Sequence, residues 1–169
     1  MIRHYLWFVA LICLCSCAPD LPEEVAEAYK NLPEKLDFNI HVKPILSDKC
    51  FLCHGPDKAN QKAGLRLDLA ESAYAALPEH PSTVTIKPGN LSKSELVRRI
   101  LSEEEAVKMP TPESNLSLSA LEKATIIKWI EDGAEYKPHW AFIKPELPKV
   151  PKINSEGWAH NAIDHFVLK

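Results

Sequence analysis

Apolar residues recur at helical spacing in three stretches of this chain, and these predict its framework. The longest is LSALEKATIIKWIEDGAEY. There Ala120, Ala124, Ile127 and Ile130 share a stripe, with Leu121 and Ile126 flanking it. Ser119 and Glu122 form a capping box at its start, and Gly133 is the expected stop. In LSKSELVRRIL, Leu96, Val97 and Ile100 face inward, and Ser92 with Glu95 predicts a second capping box. In FNIHVKPILSDKC, Phe38, Val42, Ile45 and Leu46 fall on one side of a helix. Pro44 is tolerated only near a first turn, so this helix should begin within about a turn of it. Between these stretches the patterns are short. AGLRLDLA alternates briefly as an extended piece, LAESAYAAL reads as a short helix closed by Pro78, and TVTIKPGN as an extended run and turn. SEEEAVKMPTPESN has charges and prolines but no period, which predicts a loop.

The two ends read differently from the middle. Arg3 precedes the apolar run LWFVALICL, which is too short to span a bilayer comfortably and ends in small residues. This is the pattern of a bacterial export signal over residues 1–17. LCSC at its end resembles a lipoprotein cleavage box, in which Cys17 is acylated and becomes the new N-terminus. Ala18 is not the acidic retention residue of some inner-membrane lipoproteins, which points to the outer membrane in a cell that has two. Residues 18–36 hold three prolines and few apolar side chains, predicting a tether with one helical turn at residues 23–29. Pro138, Pro145, Pro148 and Pro151 stiffen a linker over 138–156. Residues 157–169 then open a new amphipathic pattern on Ile163, Phe166 and Val167. It is expected to be the start of a second, truncated domain, with further domains C-terminal to residue 169 in a longer protein.

Composition narrows the function classes. A chain of 169 residues with 46% hydrophobic residues holds one ordinary domain with extras. A net charge of −3 gives no reason to expect nucleic acid, which favours a basic patch. Of the five cysteines, Cys13 and Cys15 leave with the signal and Cys17 takes the lipid. Only Cys50 and Cys53 remain in the exported body.

Those two lie in DKCFLCHGPDK, residues 48–58, with His54 directly after the second. Three chemistries use such a pair. A redox disulfide of the thioredoxin kind follows a strand in a βαβ unit, and no such unit precedes Cys50. A closed zinc site takes four ligands, usually as two pairs, and a second cysteine pair is missing, although scattered histidines can contribute. Cys-x-x-Cys-His is the signature of a c-type haem. Cysteines three apart lie on one side of a helical turn and both reach one porphyrin edge, while His54 becomes the proximal iron ligand. A haem also supplies apolar surface that a small domain needs to complete its core. Met109 is the one methionine left after the signal departs. It sits in the loop AVKMPTPES among charges and prolines, where filling a core is not its evident role. A thioether paired with histidine raises a haem's reduction potential, so Met109 is the candidate distal ligand. His41, His80 and His139 are the competing candidates, each otherwise a surface histidine. Arg66 in GLRLD is a candidate for a haem propionate, with a solvated arginine as the alternative. Trp129 is expected to fill the core.

VKPILSDKCFLCHGPDKANQKAGLRLD, PGNLSKSELVRRI, KMPTPES and KATIIKWIEDGAEY, in that order, resemble the planctomycete-type cytochrome c domain. The resemblance covers residues 37–137. It implies a mainly α, small cytochrome c-like domain with one covalent haem c. Cys50 and Cys53 match the haem-binding cysteines, His54 the proximal and Met109 the distal ligand. MPTP stands where relatives often carry two prolines directly after the methionine, which leaves the ligand in place. HWAFIKP and AIDHFVLK resemble the junction to the large domains that follow in such proteins.

Three functions stay open on these residues. The first is an electron-transfer domain, lipid-anchored and facing the periplasm or cell exterior, serving an unidentified redox partner. The second is a haem enzyme or gas or redox sensor with a displaceable distal ligand. The third is a haem-free disulfide or zinc module.

Overall fold

A computed structural model describes residues 19–78, 80–153 and 157–169. Cys17 and the export signal lie outside the described residues. The chain divides into two compact units, the first ending at Lys137 and the second comprising Pro138–Lys169.

The first unit is built around one helix, α6 (Ala120–Glu131), so numbered by its place in the chain. The elements before it are α1 (Glu23–Lys30), a π-helical turn at Phe38–Val42 running into α2 (Lys43–Lys49), and α3 (Phe51–His54). Then come α4 (Ala70–Tyr74), the strands β1 (Ala76–Leu77) and β2 (His80–Val84), and α5 (Glu95–Leu101). The strands pair antiparallel with an irregular register, Ala76 opposite Val84 and Leu77 opposite His80. The mainly helical class is as the periodicity predicts.

Ser119 accepts from the Glu122 backbone N–H while the Glu122 carboxylate reaches back, so the predicted capping box starts α6. The helix ends in a left-handed turn at Gly133 (φ +107°), where the Ala134 N–H returns to the Trp129 carbonyl at 2.8 Å. Ala124, Ile126, Ile127, Trp129 and Ile130 are all buried, so α6 is covered on more than one face. Leu121, placed on its flank by the sequence, is exposed. Phe38, Val42 and Leu46 are buried as their spacing predicts. Pro44 lies in the first turn of α2, where a missing N–H costs nothing. The π-helical turn ahead of it begins at Asp37, whose side chain accepts from the Asn39 and Ile40 N–H groups.

Two expectations are corrected. Residues 18–36 are not simply a tether: α1 is docked, with Val25 fully buried and Leu21, Ala28, Tyr29 and Leu32 packed on the core. The Tyr29 hydroxyl donates to Glu131 on α6, and Lys128 lies 5.9 Å from the Tyr29 ring centre. A few apolar residues on one helical face are enough, because α6 offers the complementary surface. The Ser92 capping box does not form. Ser94 is the N-cap residue of α5, and Ser92 instead donates to Asn90 at 3.0 Å. Ser94 is buried, and its hydroxyl accepts from the Lys87 N–H at 2.9 Å and donates to the Asn90 carbonyl at 2.7 Å, so it ties the preceding turn together. The last helix, α7 (Ala162–Val167), carries a capping box from Asn161 and Asp164.

The second unit contains a short 3₁₀ turn, Trp140–Phe142, and α7. No helix among the described residues is long and apolar enough to cross a membrane.

Candidate functional site

Cys50 ends α2, and Phe51–His54 add one further helical turn, α3. The His54 N–H donates to the Cys50 carbonyl at 2.8 Å, so a single turn presents Cys50, Cys53 and His54 together. Gly55 ends the turn at close quarters. A Cβ there would lie 2.3 Å from the Phe51 carbonyl oxygen, so no larger residue fits without movement. The loop that follows is laid back onto the turn by Lys62 N–H to the Cys53 carbonyl and Leu67 N–H to the His54 carbonyl, both 2.8 Å. The Tyr136 hydroxyl, on the segment after α6, donates to the Leu67 carbonyl at 2.9 Å. Phe38, Trp129 and Tyr136 stack beneath with ring centres 4.8 to 5.6 Å apart. Trp129 is therefore a core residue, as expected.

Cys50, Cys53 and His54 form part of the wall of a cavity of about 500 Å³. That lies inside the roughly 300–1,000 Å³ span of small-molecule and cofactor sites. The other walls come from Leu65 and Leu67, from the hairpin at Leu77 and His80, from α5 at Leu96, Arg99 and Ile100, and from the loop bearing Met109 through Leu118. Met109 thus reaches the same cavity as His54 from a distant part of the chain. Its bond to Pro110 is cis, and its N–H donates to the Arg99 carbonyl at 3.1 Å.

Burial pushes the Cys50 thiol up to about 12, with the charges of Cys53 and Glu122 adding to the effect. A thiol held neutral this way is a poor nucleophile for disulfide exchange. Both thiols are free. Burial also holds His54 below the ordinary histidine range, and the positive charge of Arg99 acts in the same sense. The ring is therefore neutral imidazole at pH 7, the form that ligates a metal. Its Nδ1 is buried without a hydrogen-bond partner. Two free thiols, an imidazole the protein does not fully satisfy and a thioether, set in mostly apolar walls, fit a haem. Among the described residues, no cluster of three or more His, Cys, Asp or Glu side chains is arranged to hold a bare metal ion.

The remaining candidates separate. Arg66 is not at the cavity: it forms an ion pair with Asp68, its Nε donating at 3.0 Å. Leu65 and Leu67 line the cavity, and Arg66 between them does not. His41 is occupied by the backbone, its Nδ1 accepting from the Asp37 N–H at 2.8 Å. His139 accepts from the Ala141 N–H in the second unit. His80 stands at the cavity wall, with an exposed side chain. Arg99 was missed by the sequence reading. The available signal was its position three residues after Leu96 and one before Ile100, on the inward side of α5.

A mainly helical domain with Cys-x-x-Cys-His in the wall of an apolar cavity, joined there by a methionine, is consistent with a small domain of the c-type cytochrome class. Residues 50–113 match the family described as Planctomycete cytochrome C, which supports a planctomycete-type cytochrome c domain there. A cytochrome c domain implies haem c and haem-binding electron transfer. Searches of curated proteins and of solved structures gave no match.

Proposed function

We propose that the first unit is a single-haem electron carrier, with haem c bound covalently through Cys50 and Cys53 and ligated by His54 and Met109. The observation that carries this reading is the meeting of Cys50, Cys53, His54 and Met109 at one cavity across more than fifty residues of sequence. When bound, the group supplies a reversible one-electron iron couple. The chain's own residues do the rest. Cys50 and Cys53 fix the group to α3, burial keeps His54 as the ligating imidazole, and Leu65, Leu67, Leu96 and Ile100 exclude water. Met109 supplies a soft ligand that favours the reduced state. With His54 and Met109 both holding the iron, no ligand position would be left for a substrate, which favours electron transfer over catalysis.

The apolar run before Cys17 and the LCSC box support export and lipid anchoring at Cys17, with Ala18 favouring an outer-membrane location. The redox partner would then meet this domain outside the cytoplasm.

The test is protein matured in a host with haem-attachment machinery. The peptide holding Cys50 and Cys53 should gain the mass of one haem, and the ferric spectrum should show the charge-transfer band of sulfur ligation. Met109→Ala should remove that band and keep the haem. A colourless wild-type protein, or a band that survives Met109→Ala, would overturn the assignment.

A further inference from the structure

We propose that Arg99 is the positioning residue for Met109, holding the loop that presents its thioether to the cavity. The inference rests on the ligand assignment above and deepens it.

The loop after α5 has little of its own to hold it. No residue from 102 to 111 is fully buried, and 103–106 are exposed. Its internal bonds are local: the Val107 and Lys108 N–H groups both return to the Glu104 carbonyl, and Lys108 pairs with Glu103. Among the described residues, the hydrogen bonds leading from 103–110 back to the helical framework all end on Arg99. Its carbonyl accepts from the Met109 N–H at 3.1 Å, and a guanidinium nitrogen donates to the Val107 carbonyl at 3.4 Å. Its Nε donates to Glu95 Oε1 at 2.8 Å, one turn earlier on α5. Glu95 is largely buried, and Leu96, Val97 and Ile100 fix the helix in the core. A guanidinium is a rigid fork with donors in set directions, so one side chain can grip a carboxylate on the helix and a carbonyl on the loop at once. Lysine has three donors but all on one compact nitrogen, without a fork in fixed directions to span both acceptors. The neighbouring Arg98 also pairs with Glu95 but is mostly exposed and makes no bond to the loop.

A ligand on a weakly anchored loop competes with any external ligand that enters when the loop opens. Arg99 therefore sets how readily Met109 is displaced. The measurement is imidazole binding to the ferric, haem-loaded protein, with amide exchange over residues 104–111 on the same samples. Arg99→Leu should bind imidazole roughly tenfold more tightly, the equivalent of one charge-assisted hydrogen bond, and its 104–111 amides should exchange faster. Arg99→Lys should fall between, and Arg98→Leu should match wild type. Arg99→Gln serves as the second variant if Arg99→Leu does not fold. Wild-type imidazole affinity in Arg99→Leu or Arg99→Gln would overturn the proposal, as would full restoration by Arg99→Lys, since a point charge would then suffice. Wild-type protein lacking the sulfur-ligation band would instead sink the ligand assignment, and amide exchange alone would decide whether Arg99 anchors the loop.

Discussion

Gly55 shows how narrowly the site is drawn at the level of single residues. The chain must leave the Cys-His turn with its backbone against Phe51, and only a hydrogen in place of Cβ fits the 2.3 Å separation. Its φ of −130° is open to any residue, so the constraint is space and not backbone conformation. Gly55→Ala should destabilise the fold by about 1–3 kcal/mol, the usual cost of overpacking, measured by denaturant unfolding. An unaltered midpoint would show that the turn relaxes freely. The spacing of Cys50, Cys53 and His54 was legible in the sequence because one helical turn fixes it locally. Arg66 is paired for an equally local reason. Its neighbours Leu65 and Leu67 are buried, and the arginine meets Asp68 two residues on. Arg99 was overlooked because two adjacent arginines look alike on paper, and only the packing of Leu96 and Ile100 distinguishes their faces.

Among the elements, α6 was plain from its periodicity and its caps, whereas α1 was not. Its apolar content is too slight to predict docking, and its attachment depends on the groove that α6 provides. Val25 is fully buried there. Val25→Ala removes two buried carbon atoms and should cost about 2 kcal/mol, read as a lower unfolding midpoint. A solvated tether would show no change. The start of α5 teaches a similar point. Ser92 and Glu95 have capping-box spacing, yet Ser94 takes the cap position because its hydroxyl is drawn into the turn formed by Lys87 and Asn90. Sequence spacing alone cannot choose between two serines two residues apart when a tertiary turn competes for one of them.

Over the whole of the first unit, its last residue is tied back to the residue that starts the π-helical turn. Lys137 Nζ lies 2.7 Å from Asp37 Oδ2. The hydrogen bond from Lys137 holds the Asp37 carboxyl below its ordinary value, so its contribution is complete above the unfolded carboxylate's pKa. It is lost as pH falls through the depressed folded value. Both side chains are about one-third exposed, so the pair is worth under about 1 kcal/mol. Asp37→Asn, which keeps an acceptor for Asn39 and Ile40, should be slightly less stable than wild type at pH 7. In parallel urea titrations the difference should begin to shrink below about pH 4 and be gone once pH has fallen past the depressed folded value. A constant difference at all pH values would remove the ion pair from the explanation.

The amino-acid sequence by itself determined the helical class, the strongest helix with its cap and stop, and the Cys-x-x-Cys-His turn. Each is set by periodicity or spacing within a few residues, where backbone geometry leaves little choice. Tertiary structure alone decided that Met109 shares a cavity with His54, that α1 is docked, and that Arg99 and not Arg66 faces the site. Those outcomes depend on which surfaces meet across long stretches of chain, and burial against a distant partner leaves no local periodic trace.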